Sequence, residues 1–232
     1  MSMLSRFATL GGAATDPYWA NVSYLLVGNG ANGTTTNIKD SSNNNLTTTI
    51  FGNTVISTAQ SKYGSGSVYF DGNGDYLTLP STSLLSFGTG NFTIEGWVYF
   101  PSFGGTSQGI IGIRPETSAS GLSLYVASSN ILRLQIGAGF IDSTNSFSVN
   151  TWYYIAVVRS GTSVVIYVNG TSWASGTSSV NLTDTNCVLG RAYTDISNYY
   201  LNGYLYDLRI TKGVARYSGS TMTVPTAPLP IG

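Results

Sequence analysis

Histidine is absent from this 232-residue chain, and glutamate occurs twice, at Glu95 and Glu116. Without an imidazole no Ser-His-Asp or Cys-His arrangement can be assembled. Glycoside hydrolysis needs two carboxylates aimed at one bond, and no E-x-D-x-x-E-like strand cluster supplies them. Glu95 stands alone in the run FTIEGWVYF, which reads as a strand with Glu95 facing outward or capping the sheet. The single cysteine, Cys187 in NCVLG, reads as a buried apolar thiol rather than a nucleophile. Asp71 and Asp75 bracket D-G-N-G-D, which opens like a calcium-binding loop, but Thr82 stands where the closing bidentate glutamate belongs. The simpler reading is a turn held by side-chain-to-backbone bonds. Catalysis is thereby disfavoured, and the chemistry left to the chain is binding.

Binding by stacking needs aromatic rings beside hydrogen-bonding groups. Trp173, just past the Asn169-Gly170 turn, and Tyr193, Tyr199 and Tyr200 in a polar stretch are the candidates. Trp19, Trp97 and Trp152 read instead as packing against the body of the fold. Ten Lys plus Arg balance ten Asp plus Glu, with no basic cluster. That balance gives no electrostatic drive toward nucleic acid or an anionic membrane. No apolar run is long enough to span a bilayer, and the N-terminal apolar segment is too short for a secretory signal.

The elements that would position these residues are short strands. Tyr153–Arg159 and Val164–Val168 are β-branched and aromatic runs, and the second ends in Asn169-Gly170, a type I′ hairpin signal. In the Phe92 run one alternating set is Phe92, Ile94, Gly96, Val98 and Phe100, placed inward. The other is Thr93, Glu95, Trp97 and Tyr99, placed on a more open face. Further strands are expected at Tyr24–Val27, Val68–Phe70, Tyr76–Leu79, Gly109–Ile113, Leu122–Ala127, Ile131–Ile136, Asn186–Gly190 and Leu201–Thr211, with at most one helical turn near Ser81–Leu85. The class that follows is all-β: an antiparallel two-sheet β-sandwich of jelly-roll type. Residues 1–17 read as an N-terminal arm, 18–217 as the sandwich and 218–232 as a Pro-rich C-terminal arm. Phe7, Leu10, Leu229 and Ile231 are the apolar residues with which the arms could attach to a neighbour.

Four blocks carry a family resemblance: SVYFDGNGDYLTLP, FTIEGWVYF, NTWYYIAVVRSGTSVVIYVNG and LNGYLYDLRITKGVARY. In this order they resemble the laminin-G-like, concanavalin-A-like jelly roll. DPYWANVSYLLVGNGANGTT and DLRITKGVARY…TVPTAPLP look like the versions found in tailed-phage virion proteins. The resemblance implies a non-enzymatic virion surface protein, a capsid decoration or a fibre or tail module. Its implied partners are the major capsid protein or other virion proteins and a host-surface glycan; the low net charge and the apolar termini separately point to further copies of the chain. The second function implied is a free or cell-surface carbohydrate-binding, lectin-like domain. Calcium is the cofactor implied by the pentraxin branch, whose acidic loops correspond here to Glu116 and Asp195. Each of those loops supplies one carboxylate, where calcium takes six to eight oxygens.

Overall fold

The structure is a computed structural model and describes residues 15–232. Its elements are the strands expected from the alternation together with four unexpected ones, two short (Thr49–Phe51 and Val55–Ser57) and two longer edge strands (Gly139–Ser146 and Thr171–Thr177). In chain order they are β1 (Val22–Leu26), β2 (Thr49–Phe51), β3 (Val55–Ser57), β4 (Ser67–Asp71), β5 (Tyr76–Leu79), β6 (Phe92–Tyr99), β7 (Gln108–Ile113) and β8 (Leu122–Val126). After these come β9 (Ile131–Ile136), β10 (Gly139–Ser146), β11 (Trp152–Ser160), β12 (Ser163–Val168), β13 (Thr171–Thr177), β14 (Cys187–Leu189) and β15 (Asn202–Lys212). A 3₁₀ turn, Ser83–Leu85, lies where the helical turn is expected, and another, Trp19–Asn21, leads into β1. No helix among the described residues is long and apolar enough to cross a membrane.

The first sheet runs β13-β12-β11-β6-β15-β4-β3, with β1 also paired to β15; the second runs β10-β9-β8-β7-β14-β5-β2. Every pairing is antiparallel. Asn169 and Gly170 both have positive φ, 47° and 87°, the geometry of the type I′ turn that joins β12 to β13. The inner faces meet in one core that holds Ile94, Val98, Leu124, Leu134, Ile155, Ile166, Cys187, Leu205 and their neighbours. Burial pushes the Cys187 thiol far above its ordinary pKa, which fits an inert core residue.

The outer face of the first sheet differs from the alternation-based expectation. Glu95 is 1% exposed rather than outward-facing in water. Arg209 grips its Oε1 through Nε and Nη2 at 2.9 and 2.7 Å, while the Tyr154 and Tyr217 hydroxyls donate to Oε2 at 2.6 Å. Arg209 and Arg216 also bind Asp16 at 2.8 Å, closing a buried two-carboxylate, two-guanidinium network. The segment after β15 seals this face, because Ala215, Tyr217, Met222 and Val224 pack onto Trp97, Tyr154, Tyr167 and Tyr206. The reason is distance in sequence: the cover lies about a hundred residues beyond the strand, so local alternation cannot report it.

Asp207 marks a bulge in β15 and has φ +52°. Its Oδ2 accepts from the Leu229 backbone N–H at 2.7 Å, and its buried Oδ1 has no hydrogen-bond partner among the described residues. Leu229 packs in turn against Val22 and Leu25, with Trp19 beside them. Both described ends of the chain therefore lie on the outer face of the first sheet.

Candidate functional site

The outer face of the second sheet is built by strict alternation. In β9, Leu132, Leu134 and Ile136 enter the core, leaving Arg133 and Gln135 outside. Cross-strand register then aligns a transverse row. Asp142 of β10 pairs with Arg133, Arg133 with Tyr125 of β8, and Tyr125 with Gly109 of β7. At the far edge Tyr76 of β5 pairs with Phe51 of β2. The same register sets Phe140 of β10 opposite Gln135.

Residues 191–200 lie across the middle of this face. A β-carbon at Gly109 or Gly112 would collide with the Ala192 backbone, so two glycines in β7 let the loop down onto the sheet. Ser123 Oγ donates to the Ala192 carbonyl at 2.6 Å, and the Gly109 N–H donates to the Tyr199 carbonyl at 2.7 Å. With its amide oxygen turned toward the Arg114 guanidinium, Gln135 donates through Nε2 to the Tyr193 hydroxyl, 2.7 Å away. Burial and the neighbouring Tyr125 push the Tyr193 phenol well above its ordinary pKa.

Two groups of rings result. Tyr199 stacks on Tyr125 with centroids 5.9 Å apart and planes 9° from parallel, and Tyr193 lies 5.8 Å from Tyr199. Tyr200 turns the other way, 6.2 Å from Tyr76, and Tyr76 stacks on Phe51 at 4.4 Å and 3°. Tyr199 has φ +52°, and at this kinked residue the two consecutive tyrosines diverge. Phe51 is 38% exposed, while Tyr76, Tyr199 and Tyr200 are half-buried.

Arg191 underlies the second group, its guanidinium 4.0 Å from the Tyr76 ring centroid. It is 6% exposed and donates through Nη2 to the Thr194 carbonyl, yet its buried Nε has no hydrogen-bond partner among the described residues. Tyr76 is thus packed by both the Phe51 ring and this guanidinium, and the ring area left open to the apolar face of a ligand is chiefly that of Phe51 and Tyr200. A cleft of about 350 Å³ adjoins Arg191, lined by Thr78, Val188, Asn186, Pro115, Thr194 and Asp195 among others.

The structure gathers three of the four aromatic candidates on this face: Tyr193, Tyr199 and Tyr200. Trp173 lies elsewhere, half-buried on β13 with its ring 5.3 Å from Phe147 and 6.2 Å from Tyr153. Glu116 and Asp195 do meet, but through the Glu116 backbone N–H, which donates to Asp195 Oδ1 at 2.8 Å. Arg114 occupies the Glu116 carbonyl and Arg191 the Thr194 carbonyl. Among the described residues no three metal-ligating side chains cluster. This donor set does not suit calcium, since its carbonyls already accept from arginines. Of the attachment residues, Phe7 and Leu10 lie outside the described residues, Leu229 is buried in its own chain and Ile231 is 60% exposed. Phe51, Tyr76, Tyr125, Arg133, Phe140, Asp142 and Arg191 belong to the face but not to the sequence-derived set.

A family model described as the concanavalin A-like lectin/glucanases superfamily, of laminin-G type, matches residues 71–216. No curated protein sequence matches the chain. Among solved structures, the binding domain of Paraclostridial Mosquitocidal Protein 1 aligns with TM-score 0.66 at 15% identity, over 85% of this chain and 50% of that one. Domain 4 of the GH43 extracellular arabinanase AbnA of Geobacillus stearothermophilus, solved with arabinotriose, aligns with TM-score 0.61 at 17% identity, over 84% and 94%. A putative carbohydrate binding protein of Bacteroides ovatus aligns with TM-score 0.51 at 20% identity, over 61% and 42%. The chain thus spans half or less of the first and third of these, and likeness at such identities establishes a shared sandwich fold.

Proposed function

The chain belongs to the concanavalin A-like lectin/glucanases superfamily, and from that premise we propose that it is a non-enzymatic glycan-binding module displayed on the surface of a tailed-phage particle. The observation that carries the glycan reading is the Phe51–Tyr76–Tyr200 ring cluster at the edge of the second sheet, stiffened from below by the Arg191 guanidinium. Open ring area takes the apolar side of a sugar. Domain 4 of AbnA, with its arabinotriose, and the Bacteroides ovatus protein are precedents on the same fold. The non-enzymatic reading rests on the glutamates. Glu95 is sealed under Tyr154, Tyr217 and Arg209, out of reach of any glycosidic bond, and Glu116 lies on an exposed loop.

Display on a particle is supported by sequence phrasing shared with virion proteins and by the placement of the chain ends. Trp19 and Leu229 both pack on the side of the first sheet, and Ile231, two residues after Leu229, is exposed. Attachment there would leave the aromatic face of the second sheet pointing away from the particle, and many copies would turn weak contacts into avidity.

The experiment is a glycan array probed with the purified chain and with Tyr76→Ala. We expect binding to defined glycans that weakens on the order of tenfold in the variant, about one good stacking contact, read at a temperature well below the melting of both proteins. Binding to no glycan, or equal binding by both proteins, would overturn the reading. Mass spectrometry of particles from the source phage tests display, and absence of the chain from them would remove that part.

A further inference from the structure

At the opposite end of the same face is a second platform. Phe140 is the most exposed aromatic ring among the described residues, at 53%. The Arg133 guanidinium lies 4.9 Å from its centroid. Arg133 is held in place by a bidentate pair with Asp142, both contacts at 2.7 Å, from the directly opposed position on β10. This is a ring face beside a fixed donor and a fixed acceptor, the equipment for a sugar with adjacent hydroxyls. It lies in an unusual place, because an exposed phenylalanine on an edge strand invites aggregation unless something uses it.

The two platforms are joined. From Phe140 the line runs to Arg133, over the buried Tyr125 in register with it to the half-buried Tyr199 stacked on Tyr125, then past the backbone to Tyr200, Tyr76 and Phe51. The line crosses the whole sheet, from β10 at one edge to β2 at the other. Six strand spacings correspond to about 29 Å, a length of several sugar rings. The charges along it are Arg133 and Arg191 against Asp142, Asp195 and Glu116, a balance that does not favour an anionic chain.

We infer that the face binds one linear, neutral polysaccharide laid across the strands and gripped at both ends, at Phe51–Tyr76–Tyr200 and at Phe140–Arg133–Asp142. This rests on the glycan reading of the same face and adds its substrate class. The second platform acts only when the ligand is long enough to reach it, so it contributes through effective concentration.

The test is calorimetric titration with linear arabino-, cello-, malto- and xylo-oligosaccharides, from disaccharides to long chains, with hyaluronate as the acidic comparison. The proteins are the full chain, Tyr76→Ala and Phe140→Ala; Phe140 is exposed, so its variant folds, as unchanged melting would verify. In one neutral series we expect affinity to climb with length, by on the order of tenfold or more once both platforms are reached. Phe140→Ala should return long chains to the affinity of short ones and leave short ones untouched, whereas Tyr76→Ala should weaken both. Affinity independent of length, with Phe140→Ala silent and Tyr76→Ala impaired, would overturn the inference and spare the glycan reading. Binding confined to hyaluronate would also overturn it. No binding by any series, with Tyr76→Ala indistinguishable from the parent, would overturn both.

Discussion

The outer faces of the two sheets are made from the same residue types and have opposite fates. On the first sheet Trp97, Tyr154, Tyr167 and Tyr206 surround Glu95 and Arg209, and the chain's own C-terminal segment closes over them. There each Glu95 oxygen is occupied: a guanidinium fork holds one and two tyrosine hydroxyls hold the other. On the second sheet Phe51 and Phe140 are exposed, and Tyr76, Tyr199 and Tyr200 are half-buried with no later segment of the described chain sealing them. Composition alone does not distinguish a structural cluster from a binding face. The distinction lies in whether the chain covers its own rings, since buried polar atoms without a partner among the described residues occur on both faces, at Asp207 Oδ1 and Trp97 Nε1 on the first and at Arg191 Nε on the second. A closed face should respond to mutation in stability, and an open one in affinity.

The sharpest way to break this comparison is Glu95→Ala. It leaves Arg209 and Arg216 buried with Asp16 as their remaining carboxylate and deprives two tyrosine hydroxyls of an acceptor. Removing one partner of a buried ionic network costs about 3–5 kcal/mol, so denaturant unfolding should shift by that order. The protein that remains folded should bind glycans as before. If Glu95→Gln instead abolished release of reducing sugar from a polysaccharide by a well-folded chain, Glu95 would be a catalytic acid and the comparison would fail.

A second, smaller effect concerns Asp207, also on the closed face. Burial raises its pKa from an ordinary 3.8 to about 7, with the Leu229 N–H and Arg209 pulling the other way. The folded protein therefore holds a proton on this group across a window where the unfolded chain does not. Its contribution to stability is fully present below about pH 4 and is lost as pH rises through 7. A separation of one pH unit between folded and unfolded titration is worth about 1.36 kcal/mol, so the contribution is on the order of a few kcal/mol. Asp207→Asn should flatten most of that decline, read from denaturation midpoints between pH 4 and pH 8. An unchanged slope would mean that the carboxyl is ionised in the fold and that its unpartnered Oδ1 finds water.

How much of this was legible follows from where each strand sits. The central strands β6, β11, β12 and β15 bury nearly every residue, so their apolar runs stand out, and the sandwich class follows from them. The margins were not legible. β2 reads TIF and β10 reads GFIDSTNS, each largely exposed, and an edge strand with few buried positions leaves little alternation to detect. Phe51 and Phe140 lie on those two strands, which is why both ends of the proposed site escape sequence-based reading. Tyr199 and Tyr200 were visible as a pair in a polar stretch. Their platform was not, because Gly109, Gly112 and Ala192 meet across some eighty residues of chain.

Those glycines offer the finest test of the comparison. A methyl group at Gly112 runs into the Ala192 carbonyl, and one at Gly96 runs into Leu208 and the Asp207 carbonyl at the bulge of β15. Both substitutions overpack a backbone contact, for which the usual cost is about 1–3 kcal/mol. The Gly112 contact lies on the outer face of the second sheet, whereas Gly96 belongs to the inward set of the first and meets β15 at its bulge. Gly112→Ala should lift the 191–200 loop and misplace Tyr199 and Tyr200, weakening glycan binding beyond what the fraction folded explains. Gly96→Ala should cost comparable stability and leave the affinity of the folded protein alone. Melting curves and titrations on the two variants separate the cases: equal affinities would mean that the loop only covers the sheet, whereas a loss confined to Gly112→Ala ties binding to the ridge that these glycines admit.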